Sequence, residues 1–162
     1  MDVRAAKEED IEHLARVWHD GWHEAHAQIV PAALTRLRTL GSFRERLQAA
    51  LQEIRVVGSA RAPVAFCIVR GDELYQLFVS TPARGSRIAA ALVADAEARF
   101  TASGVETAWL ACAIGNERAA RFYEKCGWRR TGTMANPAET EQGPFPLEVW
   151  RYEKSLTSVS RP

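Results

Sequence analysis

The sequence predicts a single α+β domain. Three observations carry that reading: a length suited to one core, stretches whose apolar residues recur at helical spacing, and short apolar runs bounded by turn residues. The chain has 162 residues, 47% of them hydrophobic, enough to bury one core. No repeat, low-complexity tract or linker divides it. Residues 1–154 therefore read as one domain, and 155–162 as a polar tail expected to fray.

In chain order, Val3 to Ala5 reads as a short strand. From Asp10 to Gln28, Ile11, Leu14, Trp18, Trp22, Ala25 and Ile29 fall on one stripe, as in an amphipathic helix. Pro31 ends that helix or begins the next, and Phe43 to Leu51 forms another. The period then changes. Ile54 to Gly58, Val64 to Val69 and Leu74 to Val79, separated by Gly58-Ser59 and Gly71-Asp72, read as a three-stranded antiparallel meander. Gly85 to Phe100 is helical again, with Gly104 placed to stop it, and Thr107 to Ala113 is the next strand. Asn116 caps a helix to Lys125, with Ala119, Phe122, Tyr123 and Cys126 facing inward. Strands at Trp128 to Met134 and Leu147 to Lys154 flank a long irregular loop, Ala135 to Pro146, of the kind that carries function.

Twenty-one Lys and Arg stand against 20 Asp and Glu, a net charge of +1. That balance supplies no global field for nucleic acid or an anionic membrane, so neither partner is expected and any anion site must be local. Met1 to Asp10 lacks the apolar segment of a signal peptide, and a cytoplasmic location is expected. Cys67, Cys112 and Cys126 lack metal-type spacing and read as structural thiols.

The strand Leu74 to Val79 feeds through Ser80 to Arg84 into a predicted helix opening at Gly85-Ser86-Arg87-Ile88-Ala89. Unpaired first-turn amides and the helix dipole favour an anion there. Small residues permit close approach, and Arg84 adds a charge-assisted contact to a phosphate oxygen. An ordinary strand-to-helix turn has the same local pattern. Neither G-x-x-x-x-G-K-[ST] nor G-x-G-x-x-G is present, which leaves P-loop and dinucleotide folds unsupported.

Asn116-Glu117-Arg118-Ala119-Ala120-Arg121-Phe122-Tyr123-Glu124-Lys125-Cys126-Gly127-Trp128 is more specific. It resembles the block N-x-x-A-x-x-F-Y-x-x-x-G-[FW] of the GNAT N-acetyltransferase superfamily, matching at Asn116, Ala119, Phe122, Tyr123, Gly127 and Trp128. The earlier unit is similar to that superfamily's cofactor block, L-x-V then [RQ]-x-x-G-x-[GA], through Leu77, Val79, Arg84 and Ala89. Trp22, Ala25, Val30-Pro31 and Leu34 resemble its substrate-side helical segment. The resemblance implies a mixed, mostly antiparallel sheet of about seven strands with helices on both faces, split between the strand ending at Val79 and that starting at Thr107. It also implies acetyl-coenzyme A as co-substrate in the gap, no metal, and the homodimer that members often form.

Arg87 stands where the family carries glycine. Backbone angles in a first helical turn suit any residue, so Arg87 is expected there without strain, its side chain hindering the amides or reaching a phosphate.

Acetyl transfer to an amine needs a neutral amine, stabilisation of an oxyanion and a proton for the departing thiolate. The resemblance places the oxyanion donor at the backbone of Phe78 and Val79, where a bulge is expected, and makes Tyr123 the proton donor. Tyr123 also reads as a core aromatic with a polar tip. Asn116 reads as a helix cap that can also touch the pantetheine arm. Glu73 matches the place where some members carry a general base, and it equally suits a solvated turn. His19, His23 and His26 share a helix face, but His23-Glu24-Ala25-His26 is one residue short of H-E-x-x-H, so metal is not expected. Trp22, His23 and His26 read as a solvated face or an acceptor rim. The expectation is an N-acetyltransferase acting on a small-molecule amine, with a non-catalytic acyl-coenzyme A module and a protein or peptide N-acetyltransferase as alternatives.

Overall fold

A computed structural model describes residues 2–156, and these form seven strands and five α-helices. The strands are β1 (Val3–Ala5), β2 (Ile54–Ser59), β3 (Ala62–Arg70), β4 (Glu73–Val79), β5 (Thr107–Ala113), β6 (Arg129–Ala135) and β7 (Glu148–Ser155). They make one sheet in the order β1-β2-β3-β4-β5-β7-β6. All neighbours are antiparallel except β4 and β5, which run parallel because a helix crosses between them. Ser155 is therefore not part of a fraying tail: it pairs with Thr107, and Leu156 bonds to Glu106. The rest of the predicted tail, 157–162, lies outside the described residues.

The helices are α1 (Ile11–His26), α2 (Ala32–Leu37), α3 (Leu40–Ala49), α4 (Ile88–Ala102) and α5 (Glu117–Lys125). Helices α1 and α3 bury Leu14, Trp18, Phe43 and Leu47 against Phe66 and Ile68 on one sheet face. On the other face α4 buries Leu92, Val93, Ala96 and Phe100 against Cys67, Leu74, Ala108 and Leu110. Gly21 lets α1 lie close on β4, because a Cβ there would stand 2.7 Å from Phe78 Cδ1. The predicted apolar stripe overran its helix. α1 stops at His26, and Ile29 lies beyond it, 38% exposed.

α4 begins three residues later than its periodicity predicts. Gly85 has φ +81° and Arg87 φ +67°, angles no right-handed helix accommodates. The expectation of an unstrained Arg87 is thus corrected: it precedes the helix in left-handed geometry, where glycine carries no Cβ penalty.

Candidate active site

β4 and β5 separate almost as soon as they meet. Glu73 opposite Trp109 is their single register pair, and Asp72 pins that apex by accepting from the Trp109 backbone (3.0 Å) and indole (3.1 Å) N–H groups. Beyond it lies a cavity of about 500 Å³ between the diverging strands, walled by α1, α4 and α5.

The register along β3 says which groups face the gap. Ser80 N–H donates to Val64 at 2.8 Å, so Phe78 and Gln76, two and four residues back, exchange bonds with Phe66 and Ile68. The backbone groups of Leu77 and Val79 therefore point into the gap. The predicted bulge exists but not at Phe78 and Val79: Gln76 opposes Ile68 while Leu74 opposes Val69, leaving Tyr75 as the extra residue. Phe78 is among the cavity-lining residues, and its amide is turned to β3.

At the wide end, Arg84, Gly85, Arg87, Ile88 and Ala89 line the cavity. The first intrahelical bond of α4 runs from Ala91 N–H to Arg87 carbonyl, so the amides of Ile88, Ala89 and Ala90 keep no helical partner. Ser86 is turned inward on its own loop, its hydroxyl donating to the Ala83 carbonyl. Arg84 donates to the carboxylate of Glu24 on α1, with Arg118 of α5 at 3.5 Å from the same oxygen. Hydrogen bonding from Arg84 holds Glu24 below the usual carboxylate range.

α5 forms where its cap predicts. Asn116 Oδ1 accepts from Ala119 N–H at 3.3 Å, and both residues line the cavity with Tyr123. The Tyr123 ring packs on Phe122, 5.3 Å between centroids, and its hydroxyl has no protein partner among the described residues. Burial pushes the phenol above its ordinary range. Burial also raises Cys67 and Cys112 to about 12 each, leaving inert thiols.

The histidine face of α1 is divided by its partners. His26 lines the cavity, stacked on Trp22 at 5.0 Å, and its Nδ1 lies 3.0 Å from the Trp22 carbonyl. A carbonyl only accepts, so Nδ1 carries the hydrogen and Nε2 the lone pair. Burial lowers His26 to about 4, which keeps it neutral. Trp22 and His23 do not reach the cavity wall. Trp22 is buried in the core, and His23 Nε2 is taken by the Arg38 carbonyl at 2.7 Å. Glu73 stands at the apex, forms no ion pair among the described residues, and is raised to about 7 by burial.

Sequence reasoning missed Glu24 and a polar group comprising Arg38, Arg46, Arg70, Tyr75 and Glu139 beside the apex. Tyr75 hydroxyl donates to Glu139 at 2.7 Å and accepts from Arg46 at 2.8 Å. Their separations along the chain leave no local signal. Tyr75 alone was findable, as a polar-tipped aromatic within β4.

No helix among the described residues is long and apolar enough to cross a membrane. The comparison with curated protein sequences finds no match. Solved structures share the fold at low identity. A GCN5-related N-acetyltransferase of Rhodopseudomonas palustris superposes with TM-score 0.73 at 19% identity, covering 95% of this chain and 94% of its own. A ribosomal-protein-alanine N-acetyltransferase of Brucella melitensis gives 0.71 at 18%, covering 96% and 99%. The PaiA N-acetyltransferase of Thermoplasma acidophilum in complex with coenzyme A gives 0.64 at 19%, covering 95% and 98%. The model of the Acetyltransferase (GNAT) family matches residues 9–128, from the turn before α1 through the whole gap to Trp128, and the chain belongs to that family.

Proposed function

We propose that this acyltransferase moves an acetyl group from acetyl-coenzyme A to the primary amine of a small molecule by direct attack. The carrying observation is the splayed β4 edge and the open α4 N-terminus, which meet Tyr123 in one cavity. That site suits the co-substrate. Ile88, Ala89 and Ala90 offer free amides, and Arg84 and Arg87 offer cations, for a diphosphate. Gly85 has no atom within 4 Å of where a Cβ would stand, so the loop leaves open space. Leu77 and Val79 supply backbone groups for an amide-bearing arm and an acyl oxygen, and Asn116 flanks it as the α5 cap.

When bound, acetyl-coenzyme A supplies an activated acyl carbon and a thiolate leaving group. Tyr123 stays protonated and holds a hydrogen for sulfur; the burial that raises the phenol makes a thiolate there more basic too. Glu73, near 7, is poised to take the amine proton, through water because it stands at the apex and not on the cavity wall. His26 Nε2 accepts from the incoming amine.

Thiol release with a panel of amines, products weighed by mass spectrometry, tests the reading. Release and a mass gain of one acetyl group are expected for at least one small amine. Tyr123→Phe should lower kcat by about 100-fold with acetyl-coenzyme A affinity unchanged; an unaltered kcat removes Tyr123 from the chemistry. The engagement of Arg84 by Glu24 favours a second reading, a non-catalytic acyl-coenzyme A module, whose mark is binding without thiol release for any amine.

A further inference from the structure

Three guanidinium groups converge beside the gap's apex, from the end of α2 (Arg38), from α3 (Arg46) and from the end of β3 (Arg70). Their common partner is Glu139 in the β6–β7 loop. Arg38 donates to its backbone carbonyl at 2.6 Å, while Arg70 and Arg46 stand 3.5 and 4.0 Å from its carboxylate. Glu53 accepts from Arg70 at 3.3 Å. Three cations thus face two paired carboxylates; Glu73, the next carboxyl, joins neither pair.

The hydrogen-bonding account also fails to close. Arg38 is only 4% exposed, yet its Nε has no acceptor, and neither do Nε and Nη1 of Arg46. The guanidinium of Arg46 lies 4.3 Å over the Trp18 ring and that of Arg38 5.7 Å over Trp22, but a ring face does not replace an acceptor, and buried N–H donors without one are costly. Tyr75 ties the group to the cavity: it is one of the wall residues, Arg70 stacks on its ring at 3.9 Å, and its hydroxyl lies between Arg46 and Glu139. The bulge makes it the one β4 residue without a register partner on β3.

We propose that Arg38, Arg46 and Tyr75 form a carboxylate subsite for the acceptor, in which the Glu139 carboxylate occupies Arg46 and Tyr75 until substrate arrives. The substrate class is then amines bearing a carboxylate, amino acids and their analogues. Charge-assisted N–H bonds from two guanidinium groups, with the Tyr75 hydroxyl beside them, fix a carboxylate's orientation as well as its charge. This deepens the acetyl-transfer reading and rests on it for the amine, not for the carboxylate.

The test separates the two. Twenty N-acetyl-amino acids and their neutral amides are titrated calorimetrically into the protein, with and without desulfo-coenzyme A, so that no turnover is needed. At least one acid should bind tenfold or more tightly than its amide. Arg46→Gln should collapse that ratio towards one and Arg46→Lys should restore part of it, with thermal melts confirming that each variant folds. Glu139→Gln, which removes the internal competitor, should tighten the acid several-fold and leave its amide within twofold. The subsite is overturned if no acid outbinds its amide under either condition, or if Arg46→Gln weakens acid and amide equally. Thiol release is scored separately: acid-selective binding without release for any amine sinks the acetyl-transfer reading and leaves the subsite standing.

Discussion

Glu73 unites position and titration. Burial raises its folded pKa to about 7 from the ordinary 4.5, so between those values the native protein binds more protons than the unfolded chain. Stability therefore falls as pH rises through that window. Glu73→Gln should be neutral below about pH 4.5 and stabilising above pH 7, by on the order of 2 kcal/mol. Urea melts at pH 4.5 and 8.5 read it, and an equal difference at both removes the burial argument. The same variant should lose the acidic limb of the kcat/KM profile near pH 7. Arg87 supports another test. Its left-handed φ costs an L-residue about 1–2 kcal/mol, whereas glycine adds about 0.4–1 kcal/mol of unfolded-chain entropy, so Arg87→Gly should leave the melting temperature level or slightly higher. Arg87 is exposed and forms no ion pair among the described residues. Its loss should weaken acetyl-coenzyme A at low salt and make no difference at high salt; tighter binding at low salt shows that the side chain obstructs the amides instead.

Among elements, the unexpected contact is between α1 and the residues that flank the starts of α4 and α5. Glu24 bridges Arg84, beside α4, to Arg118 on α5, so a carboxylate engages the Arg84 cation proposed for a diphosphate. Exposed pairs of this kind are worth about 0–1 kcal/mol, so Glu24→Gln should tighten acetyl-coenzyme A by up to about fivefold in calorimetry; weaker binding marks Glu24 as a prop for Arg84, not a competitor. These elements also show what was legible in advance. β1, β5 and α5 coincide with their predicted spans because strict periodicity and an Asn cap are local signals. α4 began late because positive φ at Arg87 is fixed by the loop's path, which no periodicity records. The β4 bulge was misplaced because apolar residues on both faces hide its register. Glu24 meets Arg84 sixty positions away, and Arg38 meets Glu139 across 101, so those halves of the site exist only after folding.

At the scale of the molecule, the sheet is two units joined at one parallel pair: β1 to β4 on one side, β5, β7 and β6 on the other. Helix α4 spans from one to the other, but among the described residues no register pair joins the two strands beyond Glu73 and Trp109. A ligand lying in the gap would serve as the missing partner strand, and alternation along β4 makes this resolvable residue by residue. The amides of Gln76 and Phe78 already donate to β3, whereas those of Leu77 and Val79 face the opening. Without ligand, hydrogen exchange should be slow at the first two and fast at the second two. Saturating acetyl-coenzyme A should slow Leu77 and Val79 by at least tenfold, and at 100 times Kd should stabilise the fold by about 2.7 kcal/mol. Stabilisation with no new protection at Leu77 and Val79 would place the ligand elsewhere on the molecule, and protection at all four amides in the free protein would mean that the strands close in solution.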